Sequence, residues 1–239
     1  MNIIRQVASS IVKFKYMKRI IFYFCIAFGI SLANTVYHIP IEGTIDLGLP
    51  PFIERSIAEA EENNAKAIIF EVNTFGGRVD AATQIKDAIL DSKVPTVAFI
   101  NKRAISAGAL ISLSCEKVFM AGGATIGATT AVDMQGNKAS EKVISYMREE
   151  MAATAEKRGR DKYIARGMVD EELEFPNKVM KEFINDGEVI DTIKTKVYYL
   201  VIDGDTVTVD DIEGRKQGNL ITLTTEQSLK YKIADASIE

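Results

Sequence analysis

The chain of 239 residues is poor in the side chains that most hydrolases and metalloproteins rely on: it has one histidine, His38, and two cysteines, Cys25 and Cys115. A lone histidine with only scattered carboxylates forms no ligand cluster, so neither a metal nor another cofactor is expected. His38 lies in Val36-Tyr37-His38-Ile39 with no serine-bearing turn beside it. A Ser-His-Asp triad is therefore excluded, and any nucleophilic serine needs another base. Cys25 falls inside an N-terminal apolar stretch, and cleavage after that stretch leaves Cys115 alone. No intrachain disulfide is then possible, the fold must rely on its core, and Cys115 is expected to be a buried structural residue rather than a nucleophile.

A basic cluster is also missing from the body of the chain. The first 33 residues carry Arg5, Lys13, Lys15, Lys18 and Arg19 and no acid, which leaves 24 basic against 33 acidic residues, net -9, in the remainder. An acidic body of this kind argues against nucleic acid as a partner. The basic start runs into Ile20 to Ala33 (IIFYFCIAFGISLA) and closes on Ser31-Leu32-Ala33, with small residues where a signal peptidase prefers them. Fourteen apolar residues fall short of the roughly 20 that span a bilayer. Residues 1–33 are therefore expected to be a secretory signal peptide, with a signal anchor as the alternative, and the following domain is expected outside the cytoplasm.

Beyond Ala33 the chain is long enough, and at 47% hydrophobic overall apolar enough, for one large domain with a proper core. The pattern alternates strand and helix. Expected strands are Val36 to Ile41, the buried-type run Ala67 to Val72, Thr96 to Asn101 and Lys117 to Met120. Expected helices are Pro51 to Asn64, with Ile53, Ile57 and Ala60 inward; Val79 to Leu90, with Ala82, Ile85 and Ile89 inward; and the small-residue stretch Ser106 to Ser114. Successive strand-to-helix units of this length imply right-handed crossovers and a parallel sheet, hence an α/β fold. Gly122 to Thr130 (GGATIGATT) reads as a loop, followed by a long helix from Lys138 or Ser140 to Lys157 and by helical pieces at Arg160 to Gly167 and Pro176 to Asn185. In the last third, Val197 to Val209 alternates about Asp203-Gly204-Asp205 as a hairpin does. A strand at Leu220 to Leu223 leads to a helix at Thr225 to Tyr231. No repeat or Pro-rich linker divides residues 34–239, which are expected to be a single domain.

Three elements could carry chemistry. Gly76-Gly77 sits where a buried strand turns into a helix, and glycines there let backbone N–H groups face an anion or carbonyl oxygen. Ser106, in Ala104-Ile105-Ser106-Ala107-Gly108-Ala109, lies at a second strand-to-helix turn. Small neighbours admit a substrate backbone, and the amides of Gly77 and Ala107 can point at one oxygen as an oxyanion hole. The bland alternative is that Ser106 merely caps the helix. Lys138 and Lys142 open the long helix, where the positive end of the helix dipole favours a neutral amine and burial would favour it further. Spacing alone does not choose between these two lysines.

These motifs, together with Gly122 to Ala128, Ala155-Glu156-Lys157-Arg158-Gly159-Arg160, Met168-Val169-Asp170 and Leu223-Thr224-Thr225-Glu226, resemble the protease domain of the NfeD family, membrane-associated relatives of ClpP and signal peptide peptidase A. The resemblance covers residues 34–235. It implies a ClpP/crotonase-like αβ superhelix with a mainly parallel sheet, assembled as a homodimer or larger homo-oligomer, and peptide hydrolysis by a Ser-Lys dyad. Carried over, Ser106 takes the nucleophile position, Lys142 the base, Gly77 and Ala107 the oxyanion donors, and Phe75 and Gly76 the substrate groove. The implied substrates are peptides or apolar segments of membrane proteins such as stomatin-like proteins. The chain departs from the family in having Phe75 where proline is common and Lys232 where glycine is usual. It also lacks the family's C-terminal membrane region and β-barrel, and so looks like a truncated form. A catalytically silent scaffold of a membrane complex and a crotonase-like acyl-CoA enzyme are the alternatives.

Overall fold

In the computed structural model, which describes residues 35–132, 137–171, 180–185, 188–194, 199–202, 205–208 and 218–239, the chain alternates strand and helix from its first described element. The expected signal segment lies outside the described residues. Strand β1 (Val36–Ile45) leads to helix α1 (Leu49–Glu62), β2 (Ala67–Gly77) to α2 (Val79–Asp91), and β3 (Thr96–Ile105) to α3 (Ala107–Ser114). β4 (Lys117–Ala121) and β5 (Thr125–Gly127) follow, then the helical pair α4 (Glu141–Lys157) and α5 (Lys162–Val169). The expected helices form because their apolar residues recur on one face: Ile53, Ile57 and Ala60 of α1 and Ala82, Ile85 and Ile89 of α2 are all buried. Prolines in the first turn of α1 start it without loss of a hydrogen bond. The Asp161 carboxylate caps α5 by accepting from the N–H groups of Tyr163 and Ile164.

The strands run β1-β2-β3-β4 and then β11 (Ala236–Ile238), all parallel, as the repeated strand-to-helix pattern requires. β3 serves two partners. Its first half pairs with β4 (Val97↔Lys117 to Ile100↔Met120), and its last three residues turn to β5 (Arg103↔Thr125 to Ile105↔Gly127). β5 in turn pairs antiparallel with β10 (Thr222–Thr224). The sheet therefore splits at its carboxyl edge, where the crevice of an open α/β sheet lies.

Several elements outrun their sequence signals. β2 and β3 extend to Gly77 and Ile105, through residues expected to be turn, because neighbouring strands pair with them to the end. The expected loop Gly122 to Thr130 contains β5 for the same reason. Met180–Asn185, expected as part of a helix, is a strand (β6) pairing antiparallel with β7 (Glu188–Lys194). Partnering along the chain outweighs local helical preference there, while residues 176–179 lie outside the described residues. The hairpin expected about Asp203-Gly204-Asp205 is present as β8 (Tyr199–Ile202) and β9 (Asp205–Thr208), with residues 203 and 204 outside the described set. Helix α6 (Thr225–Lys230) opens on a capping box between Thr224 and Gln227. Just beyond its cap residue Tyr231 stands Lys232, whose φ of 53° is the left-handed conformation that glycine adopts without steric cost.

The last turn of α3 is closed by two arginines from the end of α4. The Arg158 guanidinium donates to the Ser114 carbonyl at 2.7 Å, and that of Arg160 to the carbonyls of Leu113, Cys115, Glu116 and Ile233 and to the Asp235 carboxylate. The Arg160 side chain is only 4% exposed. Burial presses its proton affinity down and the Asp235 charge pushes back. Partial burial alone would raise Asp235, but hydrogen bonds from Lys117 and the Val118 N–H, with the Arg160 charge, hold it below the usual carboxylate range. Its contribution to stability is thus present above the unfolded-state value of about 4 and is lost as pH falls through the lower folded value. Replacing Arg160 with Met is expected to cost about 3 kcal/mol or more in denaturant unfolding, and Asp235→Asn to flatten the acid limb of stability against pH. An Asp235→Asn variant with an unchanged acid limb would contradict the assignment.

Candidate functional site at the split edge of the sheet

Ser106 occupies the turn between β3 and α3 with φ 56° and ψ −118°, a conformation that side-chain-bearing residues rarely adopt. Holding it there costs on the order of 1–3 kcal/mol, which the surrounding hydrogen bonds must offset. The Ser106 N–H donates to the Gly127 carbonyl at 3.0 Å, and the Ser106 carbonyl accepts from the Ala109 N–H at 2.9 Å. Its side chain makes no capping hydrogen bond. The capping explanation fails, and the hydroxyl is left half-buried at a strained strand-to-helix turn, the arrangement that presents a nucleophile.

Gly76 is what Ser106 faces. At φ +108°, a Cβ on Gly76 would lie 2.6 Å from the Ser106 Cβ and 3.1 Å from its Oγ. Gly77 is equally confined, since a Cβ there would lie 2.1 Å from the Ile45 carbonyl oxygen. The turn is held by Thr74, whose Oγ1 accepts from the Gly76 N–H at 2.9 Å and donates to the Gly43 carbonyl. The Thr74 methyl also backs Gly108, one of the small neighbours of Ser106; Thr74 itself was not singled out from sequence, where a threonine two residues before a glycine pair was the available signal. The Arg78 N–H donates to the Ile45 carbonyl at 2.8 Å. Alternation along an extended strand then turns the preceding Gly77 N–H away from β1. The Ala107 N–H, at the first position of α3, has no acceptor within its helix.

The lysines separate clearly. Lys138 precedes the helix, in an isolated bridge with Val132, and its amine bonds the Glu171 carboxylate at 2.5 Å. Lys142 is the second residue of α4, exposed, and has no ion-pair partner among the described residues. The burial expected of the base is therefore not supplied by the described residues around Lys142, which does sit at the helix terminus. Lys142, Val143 and Tyr146 face Arg78, Val79, Asp80, Thr83 and Gln84 across a cavity of about 840 Å³. Ser106 does not line this cavity; Arg78, which follows Gly77 directly, does. Tyr146, four residues beyond Lys142, follows from it by helical spacing, a signal available in the sequence and not used.

Phe75 is 73% exposed beside Gly76, and the Arg103 guanidinium stacks over its ring at 4.4 Å. His38 is placed well away. It pairs with Glu71 at 2.7 Å on the surface and aligns with Ile69, five strand positions before Thr74 and so roughly 16 Å from the carboxyl edge. Cys115 is fully buried at the end of α3, and burial pushes its thiol up to about 12. No group of three or more potential metal ligands is found among the described residues.

Gly76→Ala is expected to destabilise the fold by several kcal/mol, on the order of an overpacked core, whereas Gly122→Ala, with open space about it, should be tolerated in the same unfolding assay. Native protein at pH 8 is expected to leave Cys115 unmodified by iodoacetamide until denaturant is added, as read by mass spectrometry of the Cys115 peptide; fast native modification would contradict its burial.

Residues 35–189 match the family of the NfeD1b N-terminal domain. The chain is 41% identical over 141 residues to the membrane protein NfeD1b of Bacillus subtilis, covering 59% of this chain and 32% of that protein. It is 32% identical over 165 residues to the membrane-bound protease PH1510 of Pyrococcus horikoshii, covering 65% of this chain and 37% of that protein. The chain thus spans about a third of the length of these relatives. Among solved structures, a lysine-to-alanine variant of the 1510-N membrane-bound stomatin-specific protease, in complex with a substrate peptide, superposes with a TM-score of 0.62 at 25% identity, over 87% of this chain and 76% of that one. ClpP1 from Listeria monocytogenes superposes with a TM-score of 0.53 at 18% identity, over 84% of this chain and 91% of that one, a likeness of fold alone. The α/β, mainly parallel architecture is therefore ClpP-like. Among the described residues no helix is long and apolar enough to cross a membrane.

Proposed function

The chain belongs to the NfeD1b N-terminal domain family, and from that premise we propose that residues 34–239 form an extracytoplasmic serine endopeptidase domain working through a Ser106–Lys142 dyad. The observation that carries this reading is the strained, uncapped Ser106 turn packed against Gly76. In the proposed reaction the Ser106 Oγ attacks a peptide carbonyl carbon while the neutral Lys142 amine takes the hydroxyl proton. The carbonyl oxygen gains the electron pair and is held by the N–H groups of Gly77 and Ala107. Collapse of the tetrahedral species breaks the C–N bond, and Lys142 returns the proton to the leaving amine. Water then hydrolyses the ester by the same route, restoring Ser106.

Lys142 is favoured over Lys138 because the Lys138 amine is already engaged by the Glu171 carboxylate. The desolvation that the described residues do not give Lys142 is supplied, in this reading, by a peptide lying along the cavity between α2 and α4. The apolar bodies of Val79, Val143 and Tyr146 suit apolar side chains, and Phe75, beside Gly76, is a further exposed apolar side chain. This accords with an apolar segment of a membrane protein as substrate, and the stomatin-specific character of the solved relative makes stomatin-like proteins the candidate. The N-terminal segment 1–33 delivers the domain to the extracytoplasmic side, and the functional unit is a homodimer or larger homo-oligomer.

Fluorophosphonate labelling of the full chain tests the dyad. Wild type is expected to label and Ser106→Ala to lose labelling. Lys142→Ala should slow it by roughly a hundredfold or more, while Lys138→Ala stays within about threefold. Labelling that survives Ser106→Ala removes the nucleophile assignment, and a full-rate Lys142→Ala variant removes the base. Absence of labelling in wild type, at every assembly state tried, favours a silent scaffold.

A further inference from the structure

Helices α2 and α4 face each other across the cavity, and both pack on α3. Among the described residues only one hydrogen-bonded ion pair joins them directly: the Lys86 amine of α2 donates to the Glu150 carboxylate of α4 at 2.6 Å. Asp87 accepts from the same amine at 2.8 Å. The Lys86 side chain is 10% exposed and that of Glu150 23%, so the pair is shielded from the solvent that makes most surface pairs weak. Burial alone would lower Lys86, but the hydrogen bonds that its amine donates to Asp87 and Glu150 outweigh it and hold the amine charged, above its ordinary value.

Its position follows from helical spacing. Lys86 lies three residues beyond Thr83 and seven beyond Val79, the same face of α2 that lines the cavity. Glu150 lies four beyond Tyr146 and seven beyond Val143, the cavity face of α4. The ion pair therefore closes the far end of the cleft whose near end holds Lys142 and the residue following Gly77.

We propose that the Lys86–Glu150 pair is a strap that fixes the separation of α2 and α4, and thereby holds Lys142 at its working distance from the Gly77 turn. Lys86 and Glu150 are positioning residues: neither touches substrate or the reacting atoms. The proposal rests on the dyad reading for its catalytic half and on geometry alone for its structural half. α4 is held to α3 by Arg158 and Arg160 beyond its C-terminal end and to α5 by Arg148–Asp170 and Arg166–Glu149, and Lys86–Glu150 is the ion pair that ties it to α2, so loss of the strap removes the polar tie that sets the α2–α4 spacing on the face that carries Lys142. A displacement of about 1 Å at a reacting group costs up to roughly a hundredfold in rate.

Two measurements on the full chain separate the halves. Nitroxide labels at positions 84 and 146, in a Cys25→Ser background with Cys115 buried, report the width of the cleft by pulsed electron resonance. The second-order rate of labelling by a small fluorophosphonate, which does not need the groove, reports the base. Lys86→Met and Glu150→Gln are each expected to lengthen or broaden the 84–146 distance and to slow labelling about 10- to 100-fold well below the melting temperature, with Lys86→Arg restoring both. Glu150→Gln keeps the volume and the Lys86–Asp87 contact, so it stays informative should Lys86→Met fail to fold. An unchanged distance in a folded variant overturns the strap, and a changed distance with an unchanged labelling rate overturns its positioning role. A wild type that never labels defeats the dyad reading instead, and the distance measurement then decides the strap by itself.

Discussion

The arrangement at the split edge depends on one buried guanidinium. Like every α-helix, α3 leaves the carbonyls of its last turn without partners inside the helix, and its residues are buried where water does not reach them. Arg160 gathers Leu113, Cys115 and Glu116, Arg158 takes Ser114, and the same Arg160 bonds Ile233 and Asp235, next to the strand β11 that closes the sheet. Because both arginines sit just beyond α4, the helices carrying Ser106 and Lys142 at their N-terminal ends are tied together at their C-terminal ends. The geometry of the site is set from behind.

From the front it is set by excluded volume. Gly76 and Gly77 bring β2 so close to Ser106 and to Ile45 that no side chain fits at either position, and Gly108 lets α3 settle against Thr74. The strained φ of Ser106 persists because its N–H, its carbonyl and the wall of Gly76 over-determine it. A residue in that conformation with an uncommitted side chain is costly for stability alone, which is why the strain counts toward function.

Much of the fold was legible in the residues. The apolar faces of α1 and α2, the buried runs of β2 and β3 and the repeated strand-to-helix order led to a parallel α/β sheet, and the glycine pair and the serine turn marked its carboxyl edge. Less legible were elements that exist only through a partner. β5 and β11 are three residues each, and neither carries a periodicity of its own. Met180–Asn185 reads locally as helix and becomes a strand because β7 lies beside it. Lys138 and Lys142 were equivalent by spacing, and the contact of Lys138 with Glu171, 33 residues away, is not visible in any local pattern.

By itself the sequence determined which side chains were available: one histidine and two cysteines, serines and lysines in supply, and glycines where a backbone must turn. These are properties of composition and local spacing, and they survive any arrangement of the chain. Tertiary structure alone decided which groups meet. It placed His38 and Ser106 at different levels of the sheet, denied Ser106 a capping role, engaged Lys138 with Glu171 and left Lys142 facing the cleft. Such outcomes depend on contacts between residues far apart in the chain, formed when strands pair and helices pack, and no window along the sequence contains both partners.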